Sequence, residues 1–187
     1  MTWGCLFSQS DSMIVILRLF HRIPRDERAT SHVALSARAF GADGMVYCGM
    51  NDPGLEKSIE RMGQEWGGKF FIEYTDDWQK TVDDYRKKGF EIIHLTMYGE
   101  KLGNSLKMKK DALVVVGSEQ VPIEMYKMAD RNMSVTSQPH SEIAALAVFL
   151  DRAMGGKELS EEFDNANFQD AKRKIVPMKM GKKVVRG

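Results

Sequence analysis

Cysteine, proline and long apolar runs are all scarce in this chain. Cys5 and Cys48 are the only two cysteines among 187 residues. Two isolated thiols make neither a disulfide framework nor a zinc-ligand set, and they fit a reducing cytoplasm. No apolar stretch approaches the roughly 20 residues of a membrane helix, so no membrane partner is expected. The run from Met13 to Leu17 lacks a basic segment before it and a small-residue cleavage site after it, which argues against a signal peptide. Common catalytic fingerprints are missing too. There is no GxGxxG behind a strand and no GxxxxGK followed by Ser or Thr, which removes the usual dinucleotide and triphosphate cradles. Without HExxH or a Cys/His ligand spacing, no metal is expected. The absence of GxSxG argues against the common hydrolase elbow.

What is present describes one globular domain. Hydrophobic residues make up 43% and charged residues 28%, ordinary for a chain that buries a core. Net charge is only +1, so any attraction for polyanions has to come from local clusters. Two stand out. Ala171 to Gly187 holds seven Lys or Arg (Lys172, Arg173, Lys174, Lys179, Lys182, Lys183 and Arg186) and no Asp or Glu. Arg18, Arg22, Arg25 and Arg28 form the other, offset by Asp26 and Glu27. Basic segments of this kind bind phosphates or simply solubilise a tail.

Hydrophobic periodicity alternates between strand and helix along the chain. Strands are expected at Met13–Leu19, Gly44–Cys48, Lys69–Tyr74, Glu91–Met97, Asp111–Gly117 and Arg131–Thr136. Helices are expected at Ser31–Phe40, Leu55–Trp66, Trp78–Lys87, Pro122–Ala129 and Pro139–Met154, with Phe20 to Ala29 as a polar loop. This pattern predicts an α/β fold with a mostly parallel sheet flanked by helices. The expected organisation is an extension over residues 1–12, the domain over 13–156, and a basic segment over 157–187.

Ligands of open parallel sheets bind beyond the carboxyl ends of strands. Three loops occupy such positions: Tyr98-Gly99, Ser118-Glu119-Gln120, and Ser137 to His140. The last belongs to SQPHSEIAAL, which also reads as a helix start. Pro139 suits a first turn, Ser137 or Gln138 a cap, and Glu142 the positive end of the dipole. His140 adds nothing to a cap. Arg38 reads as an exposed arginine on an amphipathic helix. His21, His32 and His94 read as hydrogen-bonded structural residues.

Taken together, HR-x-x-RD-x-R (His21 to Arg28), HVALSARAFGADG (His32 to Gly44), WGG (Trp66 to Gly68), HLTMYG (His94 to Gly99), VVVGSEQVP (Val114 to Pro122) and QPHSEIAALAVFLDR (Gln138 to Arg152) resemble the archaeal tRNA (cytidine-56-2′-O)-methyltransferases of the SPOUT superfamily. The resemblance implies a C-terminal deep trefoil knot, a homodimer, S-adenosyl-L-methionine as cofactor and tRNA as partner. By position it places the cofactor on Leu95, on Gly117, Ser118, Glu119, Gln120 and Val121, and on Val135, Thr136, Ser137, Gln138, Pro139, His140, Ser141 and Glu142. Arg38 falls where related 2′-O-methylating enzymes carry a catalytic arginine. A guanidinium keeps its proton, so holding a phosphate or polarising the hydroxyl suits it better than acting as base. His140 is the rival candidate for that role. The early arginines and the basic tail would hold RNA.

Two departures from the family pattern bear on this reading. Thr136-Ser137 stands where Gly-Asn is usual, which would alter loop dihedrals at the cofactor site. Phe20 replaces a usual glycine. A non-catalytic RNA-binding protein on the same scaffold is the alternative function, and a nucleotide-dependent oxidoreductase is disfavoured by the missing glycine fingerprint.

Overall fold

The computed structural model describes residues 12–186 apart from 105, 107, 109 and 119. Cys5, Glu119 and residues 1–11 of the expected extension therefore lie outside the described residues.

Six strands form one parallel sheet. They are β1 (Ile14–His21), β2 (Gly44–Gly49), β3 (Phe71–Thr75), β4 (Glu91–Lys101), β5 (Ala112–Val116) and β6 (Arg131–Ser134), in the order β3-β2-β1-β5-β4-β6. The helices are α1 (Glu27–Ala39), α2 (Pro53–Trp66), α3 (Trp78–Lys87), α4 (Ile123–Met128), α5 (Glu142–Met154) and α6 (Glu161–Asn167). Alternate residues of β1 and β5 enter two separate cores. Ile14, Ile16, Val114 and Val116 pack with Val33, Leu55 and Phe149 from α1, α2 and α5. Val15, Leu17, Leu113 and Val115 pack with Val82 and Met125 from α3 and α4. Both faces are covered, which is why these strands read as unbroken apolar runs.

The sheet reverses its winding between β1 and β5. From β1 the chain moves outward to β2 and β3; β5 lies on the other side of β1, followed by β4 and β6. Loops leaving neighbouring β1 and β5 therefore diverge and open a crevice at their carboxyl ends.

Several boundaries differ from expectation. The polar sequence after Arg25 begins α1 at Glu27, four residues ahead of Ser31. The longest expected helix starts at Glu142, so Pro139 lies before it and not in its first turn. Its cap is Ser141, whose hydroxyl accepts from the Ile143 N–H at 3.1 Å, in place of Ser137 or Gln138. β4 runs on to Lys101, but Leu95 and Glu100 both pair with Met133, so residues 96–99 arch out of the ladder. The segment after Gly156 holds α6 and an antiparallel ribbon, β7 (Arg173–Val176) with β8 (Lys183–Arg186), neither of which periodicity revealed.

Phe20 is the one non-glycine residue with positive φ among the described residues, at +57°. Left-handed backbone disfavours a Cβ, which explains why glycine suits this position. Thr136 and Ser137 stay out of that region, so their loop has no steric need for glycine.

Candidate methyl-donor site

A cleft of about 480 Å³ opens at the carboxyl ends of β1, β4, β5 and β6. Small-molecule sites are commonly about 300–1,000 Å³. Its walls come from the three loops anticipated at the strand ends. Leu95 and the arch through Thr96, Met97 and Tyr98 lie within β4, where its pairing with β6 breaks; Gly117, Ser118 and Val121 follow β5; Val135, Pro139, His140 and Glu142 follow β6. Arg22, Arg25 and Asp26 add the loop after β1. Leu95, Met133 and Ala145 make the floor apolar. Thr136, Ser137, Gln138, Ser141 and Gln120 belong to the same loops without lining the cleft.

Two glycines allow the close packing here. A Cβ on Gly117 would overlap Val121 Cγ2, and one on Gly99 would lie 2.5 Å from the backbone of Asn132. Real side chains do not approach so closely: the obstacle at Gly99 is backbone, so that position requires hydrogen, whereas at Gly117 the Val121 side chain would have to shift.

Arg18 forms the base of the crevice and was missed as a site residue. Grouped by charge with the RNA-binding arginines, it is 1% exposed and unavailable to phosphates. It extends the Ile14–Ile16 row of β1 toward α5. Its Nη1 donates to the Gly117 carbonyl, and Nη2 lies 3.1 Å from Glu142 Oε1. Burial lowers its pKa, and the Glu142 carboxylate opposes that shift. A buried charge of this kind persists only when paired. An arginine inside an otherwise apolar strand was the available signal.

Around the rim, Arg22 Nε donates to Asp26 Oδ2 at 2.8 Å. Burial would raise the Asp26 pKa, but the Arg22 hydrogen bond and charge outweigh it, and the net shift is downward. His140 is exposed at the cleft wall. His94 is buried, with Nδ1 2.8 Å from Asn132 Oδ1 and its ring edge-on to Tyr126. His21 is buried as well, 2.9 Å from Thr30 Oγ1 and 3.4 Å from Asp52 Oδ2. Both are the hydrogen-bonded histidines expected from sequence, although His94 also borders the cleft.

Arg38 is not brought to this cleft. It lies near the C-terminus of α1, at the amino ends of the strands, beside a separate cavity of about 360 Å³. Its Nη2 donates to the Gly67 carbonyl, and its guanidinium carbon stacks 4.9 Å from the Phe168 ring centroid. Burial lowers its pKa. Within one chain these contacts join α1, the end of α2 and the segment after α6. Within one chain Arg38 and the cofactor loops therefore lie at opposite ends of the sheet, a placement that helical periodicity left open.

Among the described residues no group of three metal-ligating side chains occurs, and no helix is long and apolar enough to cross a membrane.

The parallel sheet with its cleft at the β1/β5 reversal is similar in fold to solved RNA methyltransferases of the TrmH/SpoU type. An RNA 2′-O ribose methyltransferase crystal structure superposes with a TM-score of 0.61 at 15% identity, over 79% of this chain and 57% of its own. The chain thus spans little more than half of that protein. The TrmH/SpoU tRNA modifying enzyme of A. aeolicus gives a TM-score of 0.55 at 17% identity, over 83% of this chain and 79% of its own. Residues 66–185 match the family described as tRNA ribose 2′-O-methyltransferase, aTrm56, and the chain belongs to that family. The tRNA (cytidine(56)-2′-O)-methyltransferase of Thermococcus kodakarensis is 49% identical, covering 92% of this chain and 97% of its own length. Its counterpart from Methanocaldococcus jannaschii is 44% identical, covering 93% and 97%.

Proposed function

We infer that this chain transfers a methyl group from S-adenosyl-L-methionine to the ribose 2′-hydroxyl of cytidine 56 in the T-loop of tRNA. The carrying observation is the convergence of three separate loops on one cleft at the carboxyl edge. The residues fit the cofactor: an apolar floor suits an adenine ring, and Gly117 on the wall lets peptide groups approach its edges. Leu95, Gly117, Ser118, Val121, Val135, Pro139, His140 and Glu142 would form its wall, with Glu119, Gln120, Thr136, Ser137, Gln138 and Ser141 assigned by position in the same loops.

When bound, the sulfonium supplies an already electrophilic methyl group. The protein's task is then to orient the ribose and to remove its proton. His140, exposed on the wall, is the proposed acceptor of the 2′-hydroxyl proton. Arg22 and Arg25 bring cations to the rim where the RNA phosphates would pass. Arg38 keeps a role in catalysis only if a second subunit carries it to the cleft, and its contacts within the chain favour a structural one.

The finer features follow from the same reading. We propose a deep trefoil knot, supported by the segment after β4: Leu102 N–H donates to the Ser134 carbonyl, and Leu102 and Leu106 share a core with Leu146 and Phe149 of α5. A homodimer, a cytoplasmic location and an assembly without metal complete the proposal, with residues 13–156 as the catalytic domain and 157–187 as an accessory segment.

Purified protein given radiolabelled S-adenosyl-L-methionine is expected to label unmodified tRNA, and to leave unlabelled the same tRNA carrying 2′-deoxycytidine at position 56. Equal labelling of both would remove the ribose assignment.

A further inference from the structure

We propose that Arg18 is a positioning residue of the donor cleft: one buried guanidinium sets the distance between the loop after β5 and the start of α5. The proposal rests on the reading that the donor binds in this cleft.

Three observations carry it. Arg18 sits on β1 at the crevice, and its two terminal nitrogens point to different walls, Gly117 of one loop and Glu142 at the end of the other. Between those anchors the chain passes through α4 and β6, so no local hydrogen bond can hold their separation. Finally, the chemistry is specific to arginine. A planar fork with several donors can engage a carbonyl and a carboxylate at once, whereas an ammonium offers a single point of attachment.

Stability alone is a poor reason for this arrangement. Apolar residues of similar volume commonly replace a buried ion pair without loss of stability. Its Nε is buried with no hydrogen-bond partner among the described residues, a further unfavourable feature that an apolar side chain would lack. What apolar residues cannot do is hold two loops at a defined spacing before the ligand arrives. Preorganisation of that kind strengthens binding by removing the entropy of loop ordering.

The test separates positioning from folding. Arg18→Lys keeps the charge beside Glu142 but loses the fork. Arg18→Met/Glu142→Leu removes both charges and restores an apolar contact. Thermal melting, calorimetric titration with S-adenosyl-L-methionine, and amide hydrogen exchange would be measured on each full-length protein. Wild-type protein is expected to gain donor-dependent protection over residues 117–121 and 135–141 together. Both variants are expected to bind the donor about tenfold more weakly or worse, even where the double variant melts within a few degrees of wild type. In turnover assays the donor KM rises while kcat at saturating donor changes much less.

Unchanged donor affinity in Arg18→Lys, with wild-type protection of both loops intact, overturns the positioning role and leaves the donor site standing. Absence of protection in the wild-type protein overturns the donor-site reading, and the proposal with it.

Discussion

His94 of β4 and Asn132 of β6 are joined across neighbouring strands by a 2.8 Å hydrogen bond, and the pair has a defined polarity. Asn132 Nδ2 donates to the Tyr126 carbonyl at 2.9 Å, so its Oδ1 faces the imidazole, and His94 Nδ1 must be the donor. Tyr126 in turn shares a 3.2 Å hydroxyl contact with Thr96 in the arch of β4. The bond therefore anchors one wall of the cleft to its floor.

Acid should lower stability here through the cost of charging the buried His94 ring, since Nδ1 still donates to Asn132 when protonated. Burial lowers the His94 pKa, partly opposed by the Asn132 hydrogen bond. The unfolded chain takes up a proton near the ordinary histidine value of about 6.5, before the folded chain does. The contribution of His94 is thus complete above that pH and is lost as pH falls through the lower folded value. Urea midpoints measured from pH 8 to pH 5 should fall for the wild type, and fall less for His94→Gln. Parallel curves for the two proteins would contradict this.

Arg38→Ala should act on stability. Loss of the Gly67 hydrogen bond and the Phe168 stacking removes about 1–3 kcal/mol from the packing of α1 against the segment after α6. Melting temperature should drop while calorimetric affinity for S-adenosyl-L-methionine stays at the wild-type value. A fully folded variant without turnover would instead return Arg38 to the reaction.

Gly117→Ala should weaken donor binding through its clash with Val121, because the added methyl needs space that Val121 Cγ2 occupies. Trimming the neighbour in Gly117→Ala/Val121→Ala should recover most of the affinity. Failure of that rescue would show that the glycine is needed for its backbone alone.

At Phe20, the left-handed backbone predicts an order among substitutions. Phe20→Val and Phe20→Leu both lose the ring, but β-branching makes valine about 1 kcal/mol worse at positive φ. Phe20→Gly relieves the backbone while giving up apolar packing, and should lie within about 1 kcal/mol of wild type. Urea unfolding of the three variants tests the ranking.

Neutralising Lys174, Lys179 and Lys183 on the β7–β8 ribbon should raise the KM for tRNA and leave donor affinity unchanged. For every phosphate that a lysine no longer neutralises, the slope of log affinity against log salt should become about 0.7–0.9 less steep. An unaltered slope would assign the ribbon to another task.

Local sequence determined much of this molecule. Apolar strand runs and helical periodicity defined β1 to β6 and α1 to α5 in kind, because each is held by packing that its own residues announce. Strand ends likewise pointed to the loops at Tyr98-Gly99, Ser118 to Gln120 and Ser137 to His140, and the family resemblance assigned Leu95, Gly117 and His140 to the cofactor. Tertiary structure alone decided the rest. Arg18 and Arg38 are both arginines among apolar neighbours, yet one lies beneath the cleft and the other at the opposite edge of the sheet. Chain direction makes that difference, because α1 runs back from the carboxyl end of β1 to the amino end of β2, while the order β3-β2-β1-β5-β4-β6 opens the cleft above Arg18 through pairings between strands far apart in the chain. The ribbon and α6 escaped notice for a related reason. Their apolar residues are short pairs, largely exposed, that set no long period, and only contacts such as Arg173 with Glu65 of α2 and Phe163 beside Gly41 reveal where they belong.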